Sequence, residues 1–248
     1  MSQLPNSLDE AILQAKEATQ AALNSGYGRV QVELVFPEIA LKAQYIAQQF
    51  IPLFEEYGSG LKVLFPDTGA AALARRDWGE TPYRVNDVGT SRSPVDSRVE
   101  PEDQVFLIVS PTAVEVSQVE KLCNLAGDRP CILLNPQLED VSVVGIGYAA
   151  RQLRERFLST LESCYYLKPL EGAALRRSFP GMWEVWLETE GDYQLIAEEP
   201  RKPVGEALDK ILFNTDSSEE GTETSSAPMP KKPGIMTSLG RFLKALSQ

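Results

Sequence analysis

The chain of 248 residues contains no histidine. That absence removes the commonest general base and the commonest metal ligand together, so neither a Ser-His-Asp nor a Cys-His triad can be assembled. Cysteine is scarce. Cys123, Cys131 and Cys164 are odd in number, lack C-x-x-C spacing and lie within apolar runs. This is the pattern of buried thiols in a reducing compartment, not of a disulfide framework or a zinc site. No apolar stretch approaches the roughly 20 residues that span a bilayer. The segment Met1–Glu10 has no basic n-region and no apolar h-region, and it carries Asp9 and Glu10, so neither a secretory signal nor a transit peptide is expected. Basic charge is in deficit: 24 Lys plus Arg stand against 35 Asp plus Glu, a net charge of −11. Such a balance disfavours nucleic acid as a general partner. The expectation is a soluble, intracellular chain with no metal, no cofactor and no catalytic residues.

What is present is periodicity. With 43% apolar residues, a sizeable core can form. Ser7-Leu8-Asp9-Glu10 has capping-box spacing before a helix to about Asn24. Val30, Val32, Leu34 and Phe36 alternate with Gln31 and Glu33, the mark of a strand exposed on one face. Ile39, Ala43, Ile46, Phe50, Leu53 and Tyr57 mark one long amphipathic helix. Leu61–Phe65 is a short apolar strand, and Val105–Val109 and Cys131–Leu134 are continuous apolar strands expected to be covered on both faces. Helices fall near Ala70–Trp78, from the Thr112/Glu115 capping-box spacing to Ala126, and over Tyr148–Leu161. Strands then follow one another at Cys164–Leu167, Leu175–Phe179, Trp183–Thr189 and Tyr193–Glu198, before a helix at Val204–Leu212. Alternation followed by a run of strands predicts an α/β fold: a mainly parallel Rossmann-like sheet flanked by helices, with an antiparallel C-terminal extension. The globular domain is expected over 1–213, a disordered acidic and Pro-rich linker over 214–234, and an amphipathic helix over 235–248.

In an open parallel sheet, ligands bind beyond the carboxyl ends of the strands. Four predicted strand ends share similar punctuation: Phe36-Pro37-Glu38, Pro66-Asp67-Thr68-Gly69, Ser110-Pro111-Thr112 and Asn135-Pro136-Gln137. If the strands are parallel, Glu38, Asp67, Thr68, Gly69, Ser110, Thr112 and Asn135 line one rim, suited to binding more than to catalysis. The same residues also end strands and cap helices. Gly145-Ile146-Gly147-Tyr148-Ala149-Ala150 fits G-x-G-x-x-A, but it comes late and no βαβ unit follows it, so tight helix initiation accounts for it. Arg151, Arg154 and Arg156 give one helix a basic face, and Trp186 on the Glu184/Glu188 face would mark a contact surface if exposed. At the end of the chain, Ile235, Met236, Leu239, Phe242, Leu243 and Leu246 form an apolar stripe flanked by Arg241 and Lys244. This is the pattern of an interfacial membrane helix or a helix-in-groove ligand.

The runs Val30–Ile39, Leu64–Ala74, Leu133–Pro136, Val144–Gly147 and Tyr165–Trp183 together resemble a family. It is the uncharacterised domain of cyanobacteria and chloroplasts that includes the plant photosystem II assembly factor Low PSII Accumulation and is fused to a chloroplast adenylate kinase. The resemblance covers about Leu8–Leu212. It carries over no catalytic residues. It implies a non-enzymatic factor in the cyanobacterial cytoplasm, peripherally associated with the thylakoid membrane. There it would assist assembly of chlorophyll-binding photosystem II subunits, with those subunits or other assembly factors as partners. The alternative it leaves open is a nucleotide- or phosphometabolite-binding regulatory domain.

Overall fold

Ser7 Oγ accepts the Glu10 N–H at 3.1 Å and so caps α1 (Leu8–Asn24), while Glu10 Oε2 reaches back to the Asn6 N–H at 2.8 Å. These positions come from a computed structural model that describes residues 3–90, 92–93, 95–139 and 147–216. The predicted linker from residue 217 onward, the terminal helix, the Val141–Val144 run and the first two residues of the G-x-G-x-x-A motif lie outside the described residues, while residues 214–216, expected to open the linker, continue the last helix. After α1 the chain forms β1 (Arg29–Leu34), α2 (Ala43–Phe50), β2 (Leu61–Phe65), α3 (Thr68–Trp78) and β3 (Arg84–Asp87). It continues through β4 (Val105–Val109), α4 (Val116–Ala126), β5 (Cys131–Leu134) and α5 (Tyr148–Arg156). Four strands, β6 (Glu162–Leu170), β7 (Ala173–Ser178), β8 (Trp183–Thr189) and β9 (Asp192–Glu199), precede α6 (Glu206–Asp216).

All nine strands join one sheet in the order β3-β2-β4-β5-β1-β6-β7-β8-β9. Pairing is parallel from β3 through β6 and antiparallel from β6 to β9, the expected mixed α/β architecture. β5 and β6 lie on opposite sides of β1, so the sheet's connections change direction around that strand. One face of the sheet is covered by α1, α2 and α3, whose buried side chains form one continuous cluster with Val30, Val32 and Leu34. The other face carries two separate clusters. α4 and α5 pack Val119, Leu122 and Leu153 over β2, β4 and β5, while α6 packs against Tyr166, Leu175, Trp183 and Val185. Between them lies the outer face of β1.

Two differences from the sequence pattern have clear causes. The long helix expected from Ile39 to Tyr57 is broken into a 3-10 turn (Pro37–Lys42), α2, and a second 3-10 stretch (Ile51–Gly60). Pro52 accounts for the second break, since it cannot donate to an α-helical ladder and its ring crowds the preceding turn. The second difference is in β2, where every residue is buried although one of them is Lys62. Its ammonium pairs with Asp103 at 2.9 Å and donates to the Arg98 carbonyl at 2.5 Å. Arg98 in turn pairs with Asp87. These contacts fasten the polar stretch between β3 and β4 to the sheet.

Candidate functional site

The gap in helical cover exposes Gln31 and Glu33 as the floor of a groove. One cavity of about 420 Å³ lies over the outer face of β1 and is lined by Gln31, Glu33, Ser163, Leu138, Leu158, Trp183 and Lys202, among others. A second, of about 470 Å³, runs to the carboxyl edge between β1 and β5 and is lined by Leu34–Pro37, Ile39, Asn135 and Tyr166. Glu33, Pro136 and Gln137 line both, so the two halves meet over Glu33. The location agrees with the rule that α/β sheets bind ligands where their connections change direction.

A bulge brings the aromatic wall into place. Gln31 pairs with Ser163, but Val32 pairs with Tyr165, so Cys164 is the extra residue. Cys164 Sγ contacts Thr19 Oγ1 at 3.5 Å, and Tyr165 donates its hydroxyl to Gln14 Oε1 at 3.0 Å, so both face α1. Consequently Ser163 and Tyr166 share the opposite face with Glu33, the register partner of Tyr166.

Glu33 Oε2 accepts the Ser163 hydroxyl at 2.9 Å and the Gln31 amide at 3.1 Å. Lys202, on the segment between β9 and α6, places Nζ 3.7 Å from the centre of the Tyr166 ring and 5.3 Å from that of Trp183. This is cation–π geometry. Burial raises the Glu33 carboxyl above its ordinary range, partly opposed by the Lys202 charge and by the two hydrogen bonds. Burial lowers the Lys202 ammonium, partly opposed by Glu33. An acid and a base pushed toward neutrality in one cleft is a physical signature of a functional site.

A family described as "Domain of unknown function (DUF1995)" matches residues 5–210. The chain belongs to this family. The match takes in every strand and the start of α6. No solved structure matches the chain.

Within this DUF1995 domain the seven rim residues do stand at the carboxyl ends of parallel strands, but with separate tasks. Asn135 lines the groove; its backbone is left-handed (φ 47°) and its Oδ1 accepts the Leu34 N–H at 2.8 Å, tying β5 to β1. Ser110 is also left-handed at φ 47° and donates its N–H to the Leu134 carbonyl. Asp67 caps α3 through the Ala70 N–H at 2.9 Å, the exposed Gly69 follows it in the first turn, and Thr68 lies beside Asp87. Thr112 and Glu115 bond to each other through both the Thr112 N–H and hydroxyl, and α4 begins after them. Glu38 is exposed in the 3-10 turn.

Two of the three arginines on the predicted basic face are paired, while Arg151 is exposed. Arg154 pairs with Glu139 and Arg156 with Glu120, each at 2.6 Å. Trp186 is buried, donating to Glu184 at 3.0 Å, and is not a contact surface. Among the described residues no cluster of three or more metal-ligating side chains occurs, and no helix is long and apolar enough to cross a membrane.

The sequence pattern overlooked Gln31, Glu33, Ser163, Tyr166 and Lys202 as site residues. A signal existed in the alternation of β1: a strand with partners on both sides and one polar face marks a stretch of sheet that no helix covers.

Proposed function

We propose that this DUF1995 protein is a non-enzymatic auxiliary factor. It assists assembly of chlorophyll-binding photosystem II subunits at the cytoplasmic surface of cyanobacterial thylakoids. The supporting observation joins sequence to structure. Three of the runs that resemble the photosynthetic family, Val30–Ile39, Leu133–Pro136 and Tyr165–Trp183, supply Glu33, Asn135, Tyr166 and Trp183 to the groove. The family likeness thus includes much of the groove wall. Membrane fractionation of the intact and Gly234–Gln248-truncated protein in a photosynthetic host, with crosslinking, tests the reading. Tail-dependent association with photosystem II subunits crosslinked is expected. A protein that stays out of the membrane fraction and captures none of those subunits sinks it.

A nucleotide- or phosphometabolite-binding role is the second reading, favoured by the carboxyl-edge rim, where α3 and α4 begin beyond the ends of parallel strands. ATP or ADP at millimolar concentration then raises the melting temperature, and Asn135→Ala reduces the shift. Absence of any shift removes this reading.

A further inference from the structure

Going beyond the assembly role and independent of it, we propose that the groove over β1 binds a short extended peptide segment of a partner protein. A backbone amide sits between Glu33 and Lys202, with an apolar side chain at either end.

Glu33 uses Oε2 for both of its hydrogen bonds, from Ser163 and Gln31, and no described residue donates to Oε1. Lys202 Nζ rests on the Tyr166 and Trp183 rings and donates to no described acceptor. At the centre of the groove Glu33 therefore offers an acceptor and Lys202 a donor, each partly stripped of water and each short of a hydrogen-bond partner among the described residues. Groups of this kind gain most from a ligand that completes them. Their charges cancel, so they match a neutral dipole better than an anion or a cation. A peptide group supplies N–H to Glu33 Oε1 and C=O to Lys202 Nζ.

Apolar side chains line both halves of the groove, Leu138, Leu158 and Trp183 in one and Val35, Phe36 and Ile39 in the other. A single-tailed amphiphile fills one end only. A peptide carrying apolar side chains around a central amide fills both, and cavities of about 420 and 470 Å³ are of the size that holds small ligands or a few residues.

The test is selection of a phage-displayed library of random dodecapeptides on the immobilised full chain. The best enriched sequence is then synthesised with capped ends and titrated by fluorescence anisotropy. Enriched sequences should share two apolar positions flanking an uncharged one. Lys202→Met, Glu33→Ala and Val35→Asp should each weaken binding at least tenfold, while melting temperatures stay close to that of the unmodified chain. Lys202 is half-buried and Val35 is 40% exposed, so these two variants leave the core intact even if Glu33→Ala perturbs the fold. No enrichment, or binding unchanged in Lys202→Met and Val35→Asp, overturns the proposal. Sensitivity to Lys202→Met but not to Val35→Asp overturns its two-ended form. Full displacement of the peptide by dodecanamide assigns the groove to an amphiphile and overturns it as well. None of these outcomes depends on thylakoids, so they stand apart from the fractionation result.

Discussion

Two lysine–carboxylate pairs on this sheet have been built to opposite ends. Lys62 and Asp103 touch at 2.9 Å with both side chains fully buried, and the ammonium also donates to the Arg98 carbonyl. Lys202 and Glu33 act on each other through space while Lys202 rests on aromatic rings and Glu33 takes hydrogen bonds from uncharged neighbours. The first pair is closed off by strands and by the stretch that leads into β4. The second lies where the helical cover stops. A buried charge that has found its partner is structural, whereas charges held partly desolvated and short of partners are available to a ligand.

That contrast can be broken most forcefully at the closed pair. Lys62→Met leaves Asp103 with its nearest remaining cation, Arg84, 3.8 Å away. It should cost about 3–5 kcal/mol in urea denaturation, the range for removing one partner of a buried pair. The double change Lys62→Met with Asp103→Leu should recover much of this loss, since two apolar residues need no solvation. If Lys62→Met is tolerated, the pair is not the anchor described here. Lys202→Met should cost less than about 1 kcal/mol, the scale of a partly exposed cation–π contact, and a larger loss would make it structural too. Asp67→Ala, which removes the α3 cap, should cost about 1 kcal/mol and leave peptide binding unchanged.

The open pair gives a pH test. Burial raises the Glu33 carboxyl above its ordinary 4.5, so the folded state favours the protonated form. The stability linked to this shift is present below the unfolded value and is lost as pH rises through the folded value. Glu33→Gln should therefore gain melting temperature relative to the unmodified chain as pH rises from 4 to neutrality. A constant difference would show that Glu33 is not desolvated. The smallest effect concerns the thiols. Cys164 is pushed up to about 11 by burial and Cys131 is raised by Cys123 and by burial. Native protein at pH 8 should leave all three thiols unreactive to a thiol-titrating disulfide reagent until denaturant is added.

Much of the fold was legible because local rules and tertiary needs agreed. The continuous apolar runs of β4 and β5 became central strands buried along their whole length, and the Ser7 cap started α1 where spacing predicted. The expected rim also formed at the carboxyl ends of parallel strands, because short connections ending in Pro and capping residues suit that edge. Lys62 and the break at Pro52 show the limit. An apolar run says where a strand is, but not which of its members will find a buried partner. A helical period says which residues face inward, but not whether the backbone can carry one helix past a proline.

What the sequence alone determined is most of the elements and the polar alternation of β1, since both follow from side-chain period and backbone preference over a few residues. What tertiary structure decided is that β1 lies between β5 and β6, that the Cys164 bulge turns Tyr166 toward Glu33, and that the segment after β9 brings Lys202 onto Tyr166. Those outcomes depend on strand order, register and the extent of helical cover, and no local window of sequence encodes them, because each is set by contacts between segments far apart in the chain.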